Sequence, residues 1–294
     1  MATVVSFINF KGGVGKTTLC VETAASLASK YKERVLLVDL DPQTNATLSL
    51  LSEDEWADHA DKKGTLCDFF EACCKGSDFD LDNIIYKYPV KHHALSKLDL
   101  LPSHIELFGM DLRIATTFGF GDIKPKLFIK RALAKIQDNY DYILVDCPPN
   151  LYLATQNGLF ASNNYIIVAL AEYLSTLGIA HIQKAVTQVF NDAKDLFLSI
   201  GTESNILAPQ LLGIVFNRVR YRTGGTSTEE RTIRRIREQY ADLVFNVTVP
   251  QSDRIAVRAE HQMPISVSGY AADRDYEQRM NQVATEIYDR LTRP

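Results

Sequence analysis

The stretch Phe10-Lys11-Gly12-Gly13-Val14-Gly15-Lys16-Thr17-Thr18 follows an apolar run at residues 4–9 and opens a helical pattern. In a strand, glycine-rich turn and helix, the N–H groups of the turn can point inward and cradle phosphate oxygens. The helix adds its positive N-terminal end. Lys16 is placed to reach the β and γ phosphates of a nucleotide, and the Thr17 hydroxyl to ligate Mg²⁺. Gly12, Gly13, Val14, Gly15 and Thr18 complete the candidate nucleotide loop. The common pattern G-x-x-x-x-G-K-[ST] fails at its first glycine, where Phe10 stands. A second lysine, Lys11, precedes a glycine pair instead.

Outward from this loop, β-branched apolar runs alternate with amphipathic stretches. Strands are predicted at residues 4–9, 34–39, 98–101, 142–146, 165–169, 212–216 and 243–249. Several are nearly all apolar, as strands covered on both faces must be. Helices are predicted at 16–31, 126–137, 174–197, 228–240 and 274–291. The alternation implies an α/β fold: a mostly parallel twisted sheet with helices on both faces. Right-handed crossovers then put the loops after the strands along one edge, where ligands bind. Residues 51–97 break the rhythm, with an acidic stretch and the sole tryptophan, Trp56. They read as an insertion of short helices on one domain spanning 1–294, and 200–209 reads as a loop.

The 294 residues are 46% apolar and 23% charged, enough for a sizeable core without staples. Lys and Arg total 32 against 36 Asp and Glu, a formal charge of −4, so nucleic-acid contact needs a local patch. No apolar run approaches the roughly 18 residues of a membrane span. The first ten residues carry no basic n-region, so no signal peptide is expected. Five cysteines without a C-x-x-C pair argue against a disulfide framework and a common zinc site, and fit a reducing cytosol.

The loop from Lys11 to Thr17 resembles the deviant Walker A motif of the ParA/MinD family of P-loop ATPases, the ParA branch above all. Val38-Asp39-Leu40-Asp41-Pro42-Gln43-Thr44 resembles its second motif and first switch. Asp141-Tyr-Ile-Leu-Val-Asp146-Cys-Pro-Pro-Asn150 resembles its Walker B strand and second switch. The likeness continues through Glu172-Tyr173, Asn217 and Pro250 to Pro264, leaving out only the insertion. It implies ATP and Mg²⁺ as ligands, with Lys11, Lys16 and Asp41 catalytic. Thr17 would hold the metal directly, and Asp41 and Asp146 through water. Asp41 would position the attacking water, and Asp39 would act near the metal and loop. Lys11 would cross a dimer interface to the partner subunit's nucleotide, because two facing triphosphates need cations between them. Asn217 could read the adenine edge and Pro250 pack on the base. Cys147 reads as a buried small residue.

Residues 213–258 hold nine arginines, no lysines and five acids, net +4, which leaves −8 for the rest. Arginine forks suit phosphates. Arg222, Arg254, Arg220 and Arg235 are therefore candidates for nonspecific duplex DNA binding. Arg254 matches a DNA-contacting arginine of the ParA branch. The resemblance further implies an ATP-sandwich homodimer, a ParB-like or cargo-adaptor partner, and a cytoplasmic, nucleoid-associated location. The chain starts at its first strand, so no helix-turn-helix domain is expected ahead of it. The alternative is a MinD-like membrane-associated ATPase. Here Met280, Val283, Ile287 and Leu291 form a narrow stripe suited to docking on the chain's own core, so no membrane partner is expected. An iron–sulfur reductase would need symmetric cysteines that this chain does not place. A module that holds ATP without turnover conflicts with intact Lys16, Thr17, Asp41 and Asp146.

Overall fold

Period-two alternation decides how the sheet is covered. Val5, Phe7, Val35, Leu37 and Leu144 pack on one face, and Val4, Ile8, Leu36, Val38 and Ile143 on the other. The computed structural model describes residues 1–119, 122–199, 206–221 and 227–293. In chain order the described elements are β1 (Thr3–Ile8), α1 (Lys16–Lys30), β2 (Val35–Asp39), α2 (Asn45–Leu48), α3 (Glu53–Lys63), α4 (Leu66–Cys74) and β3 (Tyr86–Lys87). Then come β4 (Leu98–Leu101), α5 (Met110–Phe118), α6 (Phe128–Ile136), β5 (Tyr142–Asp146), α7 (Leu153–Ala161) and β6 (Asn164–Leu170). The chain continues with α8 (Tyr173–Ser199), β7 (Gln210–Asn217), α9 (Thr228–Tyr240), α10 (Arg254–Glu260) and α11 (Arg274–Thr292).

The seven strands form one sheet in the order β3-β4-β2-β5-β1-β6-β7, parallel except for β3. Chain order reverses beside β1, which runs first to β2 on one side while β6 and β7 fill the other. Such a switch point opens a crevice at the strands' C-terminal ends. One face is covered by α1 and α11, whose Met280, Val283 and Ile287 are buried against it. The other is covered by helices including α4, α6, α7 and α8, through Phe70, Leu133, Phe160 and Phe190. The stripe on α11 thus docks on the chain's own core, as its spacing predicts.

The start of α9 follows from a capping box: Ser227 Oγ accepts from Glu230 N at 3.0 Å, and Glu230 Oε2 accepts from Ser227 N at 2.6 Å. Residues 51–97 hold the short helices α3 and α4 and also β3, which extends the sheet antiparallel to β4. A two-residue strand is too short to show a period. Helices α2, α5, α7 and α10 go unpredicted; in α7 the polar Thr155, Gln156 and Asn157 interrupt the apolar residues, and Thr155 and Asn157 are themselves buried, so its 3.6-residue apolar period is weak.

The strand expected at 243–249 does not form. Val244 makes only an isolated bridge to Ile214, and Pro250 one to Val219. Phe245 N and Val249 N donate to Ile214 O and Phe216 O of β7 at 3.0 and 2.9 Å, but side chains take groups in the middle of the run. The Arg237 guanidinium donates to the carbonyls of Phe245 and Asn246, both at 3.0 Å. Glu286 accepts from Asn246 N at 3.0 Å and Val247 N at 3.3 Å. A β-rich composition is overridden once the ladder groups have other partners. Gly213 allows the close pass, since a Cβ there would sit 2.4 Å from the Phe245 ring.

Ile287→Ala is expected to lower unfolding free energy by about 2–5 kcal/mol. Leu198→Ala, on an exposed face of α8, is expected to stay within about 0.5 kcal/mol. Denaturant titration of the two variants checks the docking of α11.

Candidate active site

Three strand ends converge at the switch point. In the register, Asp146 of β5 lies beside Phe7 of β1 and beside Asp39 of β2. The loop after β1 therefore closes over two carboxylates carried by the next two strands on one side, β5 and β2. Its backbone turns through left-handed conformations at Gly13 (φ 72°) and Gly15 (φ 88°). At Gly15 the need is also steric, because a Cβ would meet Asn217 Nδ2 at 2.0 Å.

The loop is held from both sides. Asn9 Oδ1 accepts from Lys11 N at 2.8 Å, while Asn9 Nδ2 donates to Val168 O of β6 at 2.6 Å. Asn217, at the end of β7, donates from Nδ2 to Val14 O at 2.9 Å and accepts at Oδ1 from Arg218 N at 2.9 Å. Arg218 Nη1 donates to Gly13 O at 2.8 Å. The sequence reading gives Asn217 the adenine edge; in the structure its amide lines the cavity while bracing the loop and its own neighbour. Pro250 lines the cavity wall, and its carbonyl accepts from the Tyr276 hydroxyl at 2.9 Å.

Gly12, Gly13, Gly15, Lys16, Thr17, Thr18, Asp41, Asn217 and Pro250 line a cavity of about 1020 Å³. That is the upper end of the range for ligand sites. Val14 is buried behind it, and Lys16 is 6% exposed. Lys11 stands outside it, exposed, with Nζ 2.8 Å from Glu172 Oε2.

The carboxylates have distinct environments. Asp39 is buried; its Oδ2 accepts from Thr47 N (2.8 Å) and Oγ1 (2.7 Å), and its Oδ1 from Asp41 N (3.2 Å). Burial, opposed by those bonds and aided by the charge of Asp41, pushes its pKa up to about 7. Asp146 is 0% exposed, and neither of its oxygens has a hydrogen-bond partner among the described residues. Burial and the charge of Asp39 push its pKa well up, against the pull of Thr17 and Lys16. Asp41 faces the cavity, with Oδ1 accepting from Gln43 N at 2.9 Å and its carbonyl from the Ser103 hydroxyl at 2.7 Å. A buried carboxylate with both oxygens open, beside a second buried carboxylate and a threonine hydroxyl, suits a hard divalent cation with oxygen ligands. Thr17, Asp41 and Asp146 thus fit Mg²⁺.

Of the arginines singled out for DNA, Arg222 lies outside the described residues. Arg220 donates from Nε to Gln251 Oε1 at 2.7 Å, and Arg235 is exposed on α9. Arg254, half exposed, lies 3.3 Å from the fully buried Asp273, which also accepts from Arg258 at 2.5 Å. Sequence reading passed over Asn9, Arg218 and Glu22. Glu22, on α1, is buried and accepts from Ile265 N at 2.7 Å and Ser266 N at 2.8 Å, with its pKa raised to about 7 by burial. It ties the helix behind the loop to the segment after α10. An acid on the apolar face of a helix was the available signal.

A phosphate-cradling loop after the first strand, with carboxylates on the two adjoining strand ends, defines a P-loop nucleoside triphosphatase. An AAA domain family matches residues 2–199. The sporulation initiation inhibitor protein Soj of Bacillus subtilis (strain 168) is 32% identical over 266 residues, 90% of this chain and 90% of that protein. The chromosome-partitioning ATPase Soj of Treponema pallidum (strain Nichols) is 28% identical over 285 residues, 96% of this chain and 97% of that protein. The McdA–ATP complex of Cyanothece superposes with a TM-score of 0.72 at 18% identity, covering 98% of this chain and 96% of that one. The chain belongs to this AAA domain family and is a ParA/MinD-type P-loop ATPase.

The sign of the pH dependence follows from Asp39. With its folded pKa raised from 3.8 to about 7, the native state binds more protons than the unfolded state between those values. Its contribution to stability therefore falls as pH rises through that window. Asp146→Asn removes the neighbouring buried charge. It is expected to stabilise the ligand-free protein at pH 8 by about 1–3 kcal/mol while weakening Mg²⁺-dependent nucleotide binding. Denaturant unfolding and nucleotide titration with and without Mg²⁺ check both halves.

Proposed function

We propose that the protein is a Mg²⁺-dependent ATPase that dimerises face to face when ATP-loaded, binds duplex DNA without sequence preference, and partitions or positions DNA or other cargo. A ParB-like or cargo-adaptor protein would stimulate its slow hydrolysis. The observation that carries the ATPase reading is Asp146, buried with two open oxygens beside the phosphate loop. A divalent cation would satisfy both oxygens of such a group, and a cation next to a phosphate cradle suits a phosphorylated substrate. The relatives support the partition reading, since one bears a chromosome-partitioning name, and a structural neighbour solved as an ATP complex supports the choice of nucleotide.

The loop N–H groups and Lys16 would hold the β and γ phosphates, and Pro250 would bound the base. Bound Mg²⁺ would supply charge neutralisation at the phosphates, held by Thr17 directly and by Asp41 and Asp146 through water. Asp41, with one oxygen tied to Gln43 N, is oriented to position the attacking water. Lys11 would reach across to the partner subunit's nucleotide. To do so it must leave Glu172, and an exposed pair of this kind holds only about 0–1 kcal/mol. The triphosphates of two copies outbid it readily. Hydrolysis removes the γ phosphate and with it the differential contact, so the dimer separates.

No helix among the described residues is long and apolar enough to cross a membrane. The buried stripe of α11 gives a lipid anchor no apolar face there. Arg235 of α9 together with Arg220, Arg222 and Arg254 are the proposed DNA contacts, acting on phosphates of the nucleoid in the cytoplasm.

Lys16→Ala is expected to lose ATP binding. Asp41→Ala is expected to keep binding but release phosphate at least about a hundredfold more slowly. A phosphate-release assay beside a fluorescent-nucleotide titration separates the two, and equal turnover in Asp41→Ala would remove Asp41 from its role. Arg222→Ala combined with Arg254→Ala is expected to lose DNA binding at low salt while ATP-dependent dimerisation persists. Unchanged DNA affinity in that variant would refute the arginine assignment.

A further inference from the structure

A thiol, an imidazole and a carboxylate meet outside the nucleotide cavity. One ligand atom each of Cys67, His104 and Glu106 lies within 4.8 Å of the other two. Nδ1 of His104 is 3.8 Å from Glu106 Oε2. Cys67 sits in the first turn of α4, while His104 caps the 3₁₀ turn Ile105–Gly109 that follows β4 and Glu106 lies inside it. The three run from inside to outside: Cys67 is 5% exposed, His104 is partly buried and Glu106 is exposed.

These ligand groups are not spent elsewhere. Among the described residues the buried Cys67 thiol makes no hydrogen bond, while its backbone N donates to Thr65 Oγ1 at 3.2 Å. The adjacent carboxylate, Asp68, is taken up instead by the capping box at Thr65. Nδ1 of His104 accepts only a long bond, 3.3 Å, from Glu106 N. The surroundings hold the cluster in place. The Trp56 ring stacks on the His104 ring at 5.2 Å between centroids, and its Nε1 donates to Ser103 O at 3.0 Å. Leu66 N donates to Pro102 O at 3.0 Å, which fixes the start of α4 to the same segment. Groups oriented in this way by their neighbours are what a metal site needs.

We propose that Cys67, His104 and Glu106 form a binding site for a thiophilic divalent cation, Zn²⁺, separate from the Mg²⁺ site at the phosphate loop. Sulfur and imidazole ligands select zinc over magnesium. In a tetrahedral zinc site, with bonds of about 2.0–2.3 Å, neighbouring ligand atoms stand about 3.3–3.6 Å apart. The gap of 3.8 Å between His104 and Glu106 is already close to this. The widest gap has to shrink by no more than about 1.5 Å, and Glu106, on the solvent side, closes it by turning its side chain. Three protein ligands leave a fourth position for water at that exposed side. Burial, with the charges of Glu106, Asp68 and Glu71, pushes the Cys67 thiol up to about 12, so the metal-free thiol keeps its proton. Binding releases that proton to solvent as the sulfur lone pair goes to the metal, and nothing is oxidised or reduced. The ion would clamp α4 to the segment after β4. Ser103, next to His104, donates to Asp41 O at 2.7 Å and from its backbone N to Thr47 Oγ1 at 3.0 Å. The clamp therefore backs the residues that hold Asp41 and Asp39. No C-x-x-C pair announces this site, because its ligands come from two distant stretches of chain.

The test uses the full chain, stripped of transition metals by a chelator and held in excess Mg²⁺-ADP so that the phosphate-loop carboxylates are occupied. Zn²⁺ titrated against a chromophoric chelator is expected to bind at one equivalent. Co²⁺ in its place is expected to give the near-ultraviolet absorption of a thiolate–cobalt bond and the visible bands of a tetrahedral ion. Cys67→Ser is expected to abolish the thiolate–cobalt absorption. Cys67→Ser and His104→Ala are each expected to weaken Zn²⁺ binding at least about tenfold. Glu106→Gln, at an exposed position that does not challenge folding, is expected to weaken it about tenfold and serves if the buried variants fail to fold. Cys73→Ser, a thiol on the same helix outside the cluster, is expected to bind as the parent does. Zn²⁺ is also expected to raise the thermal unfolding midpoint of the parent more than that of Glu106→Gln. A parent that takes up no Zn²⁺ overturns the proposal. So does Zn²⁺ held equally well by Cys67→Ser or Glu106→Gln, or a cobalt signal lost in Cys73→Ser and kept in Cys67→Ser.

Discussion

Two carboxylates, Asp39 and Asp146, sit side by side on neighbouring strands with no exposure to solvent, and the rest of the site is arranged around that conflict. Two unit charges about 5 Å apart repel by about 3 kcal/mol even at an effective dielectric of 20. Thr47 answers Asp39 with two hydrogen bonds. Nothing among the described residues answers Asp146 in the same way. The apolar surround sharpens the conflict, and the fold tolerates it because burial raises both carboxyl pKa values while Thr47, Thr17 and Lys16 pull the other way. A bound cation with a triphosphate would relieve it, so ligand binding and relief of strain act in the same direction.

The sheet order makes this possible. β5 lies between β1 and β2, so the glycine-rich loop, Asp146 and Asp39 arrive at one point from three strands. On the other side, β6 and β7 reach over to the loop through Asn9, Asn217 and Arg218. Gly15 is required there twice, for its positive φ and for the space that Asn217 fills. The loop is thus a braced structure before any nucleotide arrives, which lowers the ordering cost of binding. Glu22 extends the bracing along α1 to residues 265–266, and so toward α10 and its arginines. The exposed Lys11–Glu172 pair stands apart from these braces. It is weak and solvent-screened, as suits a group that must change partners.

The loop, the Walker-type aspartates and the alternating α/β plan were legible because each is local. A glycine pair before Lys16, or an aspartate closing a four-residue apolar run, announces its chemistry within a few neighbours. The stripe on α11 was legible for the same reason, its period being complete in the sequence. The run at 243–249 misled because β composition does not record which groups take the backbone. Arg237 and Glu286, neighbours only in space, took them. The bracing role of Asn217 was hidden in a related way: an amide at a strand end offers the same donor and acceptor to a base edge or to a loop carbonyl.

The sequence by itself determined that this chain holds a phosphate loop with a second lysine, in a parallel α/β frame built by apolar alternation. Those features depend on residue type and short spacing. Only the tertiary structure decided that Asp146 is buried unpartnered beside Asp39, that Asn217 and Arg218 hold the loop, that Arg254 shares the buried Asp273, and that Cys67 meets His104 and Glu106. Each of these joins residues far apart in the chain, or turns on which side of a segment is covered. Strand order and packing fix those relations, and no local pattern encodes them.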